Sequence, residues 1–173
     1  LALAPLQQRL NALQAGAQPR LRQASVLFVD IVDSTRLLSR LDAEDSHSLL
    51  DQALARFGAL IEQQGGQVLR YTGDGLKAAF GMPEPAEDDA ERAVRAGLAV
   101  LAAARDEAVR AAAELGIADF AVRAGIHTGP VAMGAGVEEA HTLVGATVHL
   151  AARMEQSAPA GALRISHDTW RAV

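Results

Sequence analysis

The sequence predicts an α+β domain, a mixed sheet with helices packed on it, and three observations predict it. Short β-rich runs alternate with longer segments of helical apolar spacing. Several of those runs are joined by short turns, which suit antiparallel neighbours rather than a wholly parallel sheet. The first run, "ASVLFVDIV", is apolar in the manner of a strand buried in the middle of a sheet. At 173 residues, half of them hydrophobic, the chain is long enough for one sizeable core but not for two.

Residues 1 to 18 carry Leu3, Leu6, Leu10 and Leu13 at helical spacing, closed by Gly16 and Pro19, so residues 1–24 read as a lead-in helix or linker and 25–173 as the domain. The first strand is expected over 24–32. Ser34 and Thr35 then offer an N-cap to a helix whose stripe is Leu49, Leu50, Ala53, Leu54, Phe57, Leu60 and Ile61, stopped by Gly65-Gly66. "VLRYTGDGLKAAFG" reads as strand, turn, strand, and if Gly73-Asp74 is the two-residue turn, Arg70 faces Lys77. A long helix follows, with an acidic first turn after Glu84 and a closing Gly116. Phe120, Val122, Ala124 and Ile126 alternate in the next strand, which Gly129-Pro130 is expected to turn. "GATVHLAARMEQ" gives another helix and "GALRIS" a last strand.

Composition narrows the chemistry. There is no cysteine, which excludes disulfides, thiolate zinc sites and a cysteine nucleophile. A net charge of -5 with one Trp, one Tyr and four Phe argues against a nucleic-acid surface. No apolar run is long enough to span a bilayer, and the first residues lack the pattern of a signal peptide, so a cytoplasmic domain is expected. No Ser/His/Asp constellation and no GxxxxGK[ST] phosphate loop is present, and His47, His127, His141 and His167 lack metal-ligand spacing.

Two aspartates stand out. Asp74 lies between Gly73 and Gly75, where a turn that needs positive φ is one account of it. Asp30 sits inside the apolar "LFVDIV", where a carboxylate needs a partner: an arginine, a cation or water. Two acids, one ending a central strand and one at the tip of a neighbouring hairpin, can instead converge on divalent ions. Magnesium suits such a site, since it takes few carboxylates together with phosphate oxygens. The helix expected to start at Ser34 and Thr35 would favour a phosphate group beside them.

The stretches "VLFVDIVDST", "GGQVLRYTGDGLKAAFG", "VRAGIHTGPVAMGAGV" and "VGATVHLAARMEQSAPAGALRIS" together resemble, in order and spacing, the class III adenylyl/guanylyl cyclase catalytic domain over about residues 25 to 170. The resemblance implies a ferredoxin-like, palm-type fold and a homodimer with active sites at the subunit interface. It also implies ATP as substrate and two divalent ions, Mg2+ or Mn2+. Asp30 and Asp74 match the metal-holding aspartates, with the Ile31 carbonyl as a backbone ligand. Arg123 matches an arginine that holds the triphosphate, and Arg153 the transition-state arginine.

Other positions depart from the family pattern. His149 stands at the ribose-orienting asparagine, one helical turn before Arg153, and either packs or takes over that role. Arg70 stands at the purine-reading lysine and Thr142 at the purine-reading aspartate; threonine there resembles the subgroup that includes bicarbonate-responsive members. Lys77, the only lysine, is either solvated or part of the base pocket beside Arg70. The family's further strand pair with a triphosphate-binding lysine is expected to be missing after "ISHDTWRAV", and fusion to a regulatory domain is expected. Rival expectations are a degenerate cyclase-like domain that binds nucleotide or only dimerises, and a cyclase acting on GTP. A diguanylate cyclase is disfavoured, because its GGDEF-type turn is absent.

Overall fold

The computed structural model of the chain describes residues 21–133 and 143–173; the expected lead-in helix, His141 and Thr142 lie outside the described residues. Strand β1 (Leu21–Ile31) is central, paired antiparallel with β3 (Gly75–Phe80) on one side and with β4 (Val122–Met133) on the other. Strand β2 (Gln67–Tyr71) flanks β3, also antiparallel. The two-residue β5 (Leu143–Val144) and the parallel β6 (Leu163–Ile165) both attach to β4. The order β2-β3-β1-β4 interleaves two β-α-β units: β1 and β2 run parallel with β3 between them, and β3 and β4 run parallel with β1 between them. This is the expected ferredoxin-like mixed sheet.

Alternation along the strands sorts the two faces. Leu27, Val29 and Ile31 of β1, Leu76, Ala78 and Phe80 of β3, and Val122, Ala124 and Ile126 of β4 form one buried core. Helices α2 (Ala43–Gln63) and α3 (Asp89–Leu115) cover it with Phe57, Ile61, Ala96 and Val100. Full burial of large side chains of this kind contributes about 1.5–3 kcal/mol each. The opposite face carries a smaller cluster, Ala24, Val26, Ala79 and Val131, against Ala151 of α4 (Ala146–Ser157). Phe28 packs on that cluster, while its neighbours of the same parity toward the site end, Asp30, Gly75, Lys77, Arg123 and Gly125, are polar or lack a side chain. No helix among the described residues is long and apolar enough to cross a membrane.

Three local expectations are corrected. The segment after β1 forms two helices, a five-residue α1 (Ser34–Leu38) and then α2. Neither Ser34 nor Thr35 caps the long helix. Asp42 does so, accepting from the Asp45 N–H at 2.8 Å. Gly129-Pro130 does not turn the chain, because β4 continues through it with eleven residues in unbroken register against β1. Finally, Gly73-Asp74 is the hairpin turn, with Arg70 opposite Lys77 and the Thr72 N–H bonded to the Gly75 carbonyl at 2.9 Å. Yet neither turn residue has positive φ. The left-handed residue nearby is Asp33 (φ 49), where the chain leaves β1 for α1.

Candidate active site

Asp30 and Asp74 meet at the end of the central strands. The Ile31 N–H donates to the Asp74 carbonyl at 2.9 Å, which ties the hairpin turn to β1. The Ser34 hydroxyl donates to Asp74 Oδ2 at 2.6 Å and orients that carboxylate. A Cβ on Gly75 would lie 2.3 Å from the Val29 carbonyl oxygen and 3.2 Å from Asp30 Oδ1, so β3 can approach the aspartate this closely only as glycine. Asp30, Ile31, Asp33, Ser34, Thr35 and Asp74 line an open pocket of about 600 Å³.

The electrostatics of this pocket suit a cation. Asp30 is pushed up to about 6, first by burial, then by the charges of Asp74 and Glu155, with Arg123 acting in the opposite direction. A carboxylate raised by burial and by a neighbouring carboxylate is relieved when a positive charge enters beside it. Apart from the Arg36 guanidinium, the lining supplies oxygen donors, carboxylates and hydroxyls with the Ile31 backbone beside them, and no imidazole or thiolate. That donor chemistry fits Mg2+ or Mn2+, with water or phosphate oxygens completing the coordination.

Arg123, directly opposite Asp30, approaches it at 3.5 Å (Nη2 to Oδ2). Its stronger bond is to Glu155 on α4, Nε to Oε1 at 2.6 Å. Asp30 thus has an arginine nearby and also opens into a pocket that it shares with Asp74. Burial raises the Glu155 carboxyl and the bond to Arg123 opposes the shift. Glu155 escaped the sequence reading. The signal was available, since it follows Thr147 and Ala151 at i+4 steps along the buried stripe of α4, and a carboxylate on such a stripe calls for a partner as Asp30 does.

Of the remaining candidates among the described residues, Thr35 alone lines the pocket. His149 and Arg153 are exposed on α4, one turn apart, and neither lines the pocket that holds Asp30 and Asp74. Arg70 is exposed on β2, and Lys77, opposite it on β3, is partly buried; burial first, then the Arg70 charge, lowers the Lys77 ammonium. Thr35 lines the pocket, but α1 is too short to add much of a helix dipole. Among the other histidines, His127 is buried and its Nδ1 sits 2.7 Å from the Ser166 hydroxyl. One chain thus presents two separated sets, an acidic pocket and an exposed cationic helix face.

Comparison with known proteins places the chain in a family. The family model described as "Adenylate and Guanylate cyclase catalytic domain" matches residues 17–173. The chain is 30% identical over 138 residues to "Adenylate cyclase 1" of Rhizobium meliloti, covering 78% of this chain and 20% of that protein. The chain therefore spans about a fifth of that relative's length. Among solved structures, the adenylyl cyclase CyaB from P. aeruginosa superposes with a TM-score of 0.84 at 29% identity, covering 90% of this chain and 82% of that one. The guanylyl cyclase Cya2 gives 0.81 at 29%, covering 89% and 79%. A family match across nearly the whole chain, with the same sheet and helix arrangement, leads to one conclusion: the chain belongs to the class III adenylyl/guanylyl cyclase catalytic domain family.

Proposed function

We propose that this domain converts ATP to 3',5'-cyclic AMP and pyrophosphate at sites formed between two copies of itself. The observation that carries the reading is the separation of the two residue sets. Asp30 and Asp74 share a pocket, while His149 and Arg153 stand exposed on another face of α4, where a second copy can receive them. A two-fold arrangement would bring the α4 face of each copy to the pocket of the other. Two divalent ions, held by Asp30, Asp74 and the Ile31 carbonyl, would supply Lewis acidity to the ribose 3'-hydroxyl and neutralise the triphosphate.

The protein's own task is then mainly positioning and charge complementarity. The 3'-oxygen bonds to the α-phosphorus as the bond to the pyrophosphate oxygen breaks, and the hydroxyl proton leaves to solvent. Ser34 holds the Asp74 carboxylate in place, and Thr35 stands at the pocket wall within reach of phosphate oxygens. Arg123 contributes a guanidinium toward the triphosphate. Arg153 of the second copy meets charge growing on the α-phosphoryl oxygens, a contact strongest in the transition state. His149 can donate one hydrogen bond to the ribose; Arg70 and Lys77 are candidates to read the base, and Thr142 is one by its match to the family's base-reading position. In a longer protein the domain would be joined to regulatory modules.

A second reading, cyclisation of GTP, draws support from the Arg70–Lys77 pairing. Both side chains are donors only. Guanine offers O6 and N7 as two acceptors on one edge, whereas adenine replaces one of them with a donor. The test is cyclic nucleotide and pyrophosphate formation from ATP and GTP with Mn2+, for the wild type and Asp74→Ala. Cyclic AMP that vanishes with Asp74→Ala sustains the proposal, and a preference for GTP moves it to the second reading. No product from either nucleotide on a folded dimer would leave a cyclase-like regulatory domain.

A further inference from the structure

Arg123 and Asp30 occupy opposed positions on neighbouring antiparallel strands, where Cβ atoms lie about 4.5–5.5 Å apart. An arginine and an aspartate at that spacing can close into a bidentate pair that takes up the carboxylate lone pairs. Here they do not close. The nearest approach, Nη2 to Oδ2 at 3.5 Å, is an ion pair but is longer than a good hydrogen bond. The guanidinium instead donates through Nε to Glu155 Oε1 at 2.6 Å and through Nη1 to the Gln156 carbonyl at 3.4 Å.

Glu155 is set in place by backbone as well as by charge. It is 6% exposed, and α4 lies so close to β4 that a Cβ on Gly125 would fall 1.9 Å from the Glu155 nitrogen. Gly125 thereby lets the helix bring a carboxylate down to the level of the sheet, beside Arg123. Burying a carboxylate here is costly unless the partner is held well. A simple pin between helix and sheet could have used an apolar side chain at less cost, which points to a task for the charge.

We propose that Glu155 is a positioning residue for the metal site: by anchoring Arg123 from α4, it keeps the guanidinium off Asp30 and leaves that carboxylate free for a divalent cation. The proposal rests on the reading of Asp30 and Asp74 as holders of divalent ions. Without Glu155, Arg123 closes on Asp30 and competes with the ion for the same oxygens. With Glu155 present, the positive charge of Arg123 is largely compensated and its removal matters little to the ion.

A double-mutant cycle on Mn2+ binding tests this, read by the electron paramagnetic resonance signal of free Mn2+ and by the rise in melting temperature with Mn2+ alone. The four proteins are wild type, Glu155→Gln, Arg123→Gln and the double variant. Removing Arg123 should change the Mn2+ dissociation constant by less than about twofold when Glu155 is present, and tighten it by at least about fivefold when Gln stands at 155. A purely structural or additive charge role gives the same factor in both backgrounds, and that result overturns the proposal. Should Glu155→Gln fail to fold, Glu155→Asp, which withdraws the same charge by one methylene, closes the cycle under the same criterion. A wild type that binds no Mn2+ overturns the metal reading and this proposal together. Equal factors on a wild type that does bind overturn this proposal alone.

Discussion

Replacing Gly125 by alanine should be among the most damaging single-methyl changes in this domain. The added Cβ would lie 1.9 Å from the Glu155 nitrogen and 2.5 Å from both the Glu155 Cα and the Met154 carbonyl carbon. Ordinary contact begins at 3.4 Å, so α4 must retreat by about 1.5 Å, and the obstacles are backbone atoms that no rotamer change can move. Overpacking of a buried site costs about 1–3 kcal/mol, and a backbone clash belongs at the upper end. For a chain of this size, a loss of about 3 kcal/mol lowers the melting temperature by roughly 6–12 °C. Gly73→Ala is the internal control: nothing lies within 4 Å of its Cβ and its φ is not positive, so it should melt with the wild type. Differential scanning calorimetry of the three proteins in metal-free buffer makes the comparison. A Gly125→Ala protein that melts within about 2 °C of the wild type would refute the close-packing argument, and with it the claim that this glycine sets the depth of α4.

Other expectations are as direct. Burial and the Asp74 charge push the Asp30 carboxyl up to about 6 from its ordinary value of 3.8, so between those values the folded state keeps a proton that the unfolded state has lost. Its contribution to stability is therefore present below the lower value and fades as pH rises through the upper one. Metal-free wild type should gain melting temperature between pH 7 and pH 5 relative to Asp30→Asn, and parallel profiles would contradict the assigned burial and charge effects. Asp30→Ala and Arg153→Ala, each inactive alone, should on mixing regain roughly a quarter of wild-type activity, since half of the random dimers are mixed and each holds one intact site of two. Mixtures as dead as their components would remove the shared-site reading. Lys77→Ala should lower the kcat/KM ratio of GTP over ATP by up to about tenfold if Lys77 reads base acceptors. An unchanged ratio returns it to a solvated lysine.

Strong local pattern made most of the fold legible. Asp30 was conspicuous because everything around it in "LFVDIV" is apolar, and the Arg70–Lys77 register followed from counting outward from the turn. The turn itself was found for a different reason than the structure supplies. Positive φ is not needed there, and the glycine that matters is Gly75, pressed against the Val29 carbonyl. Gly129-Pro130 misled because turn rules weigh only neighbours in sequence. In the fold, Pro130 lies on β4 between the stretches that pair with β6 and β5, and β1 holds the strand straight. The Asp42–Asp45 cap was visible in "DAED" but was overlooked in favour of Ser34, whose hydroxyl bonds to Asp74 instead. That bond spans 40 residues in sequence, and no local rule could have supplied it.

Helix α4 connects the two halves of the proposed chemistry. Residues 153 and 155 are two apart, so on a helix of 3.6 residues per turn they project about 200° from one another. Glu155 is buried against Gly125 and Arg123, while Arg153 and, one turn earlier, His149 face outward. In the proposed two-fold dimer the outward residues would serve the second copy's pocket, and the inward one would steady the pocket of its own chain. A rigid helix cannot change its depth on the sheet without moving both. On the shared-site proposal, Arg123, Glu155 and Gly125 would govern more than one site: a displacement at the Asp30 end of one chain would become a displacement of the Arg153 offered to the other. Coupling of this kind requires no movable domain, only a helix whose two faces belong to different active sites.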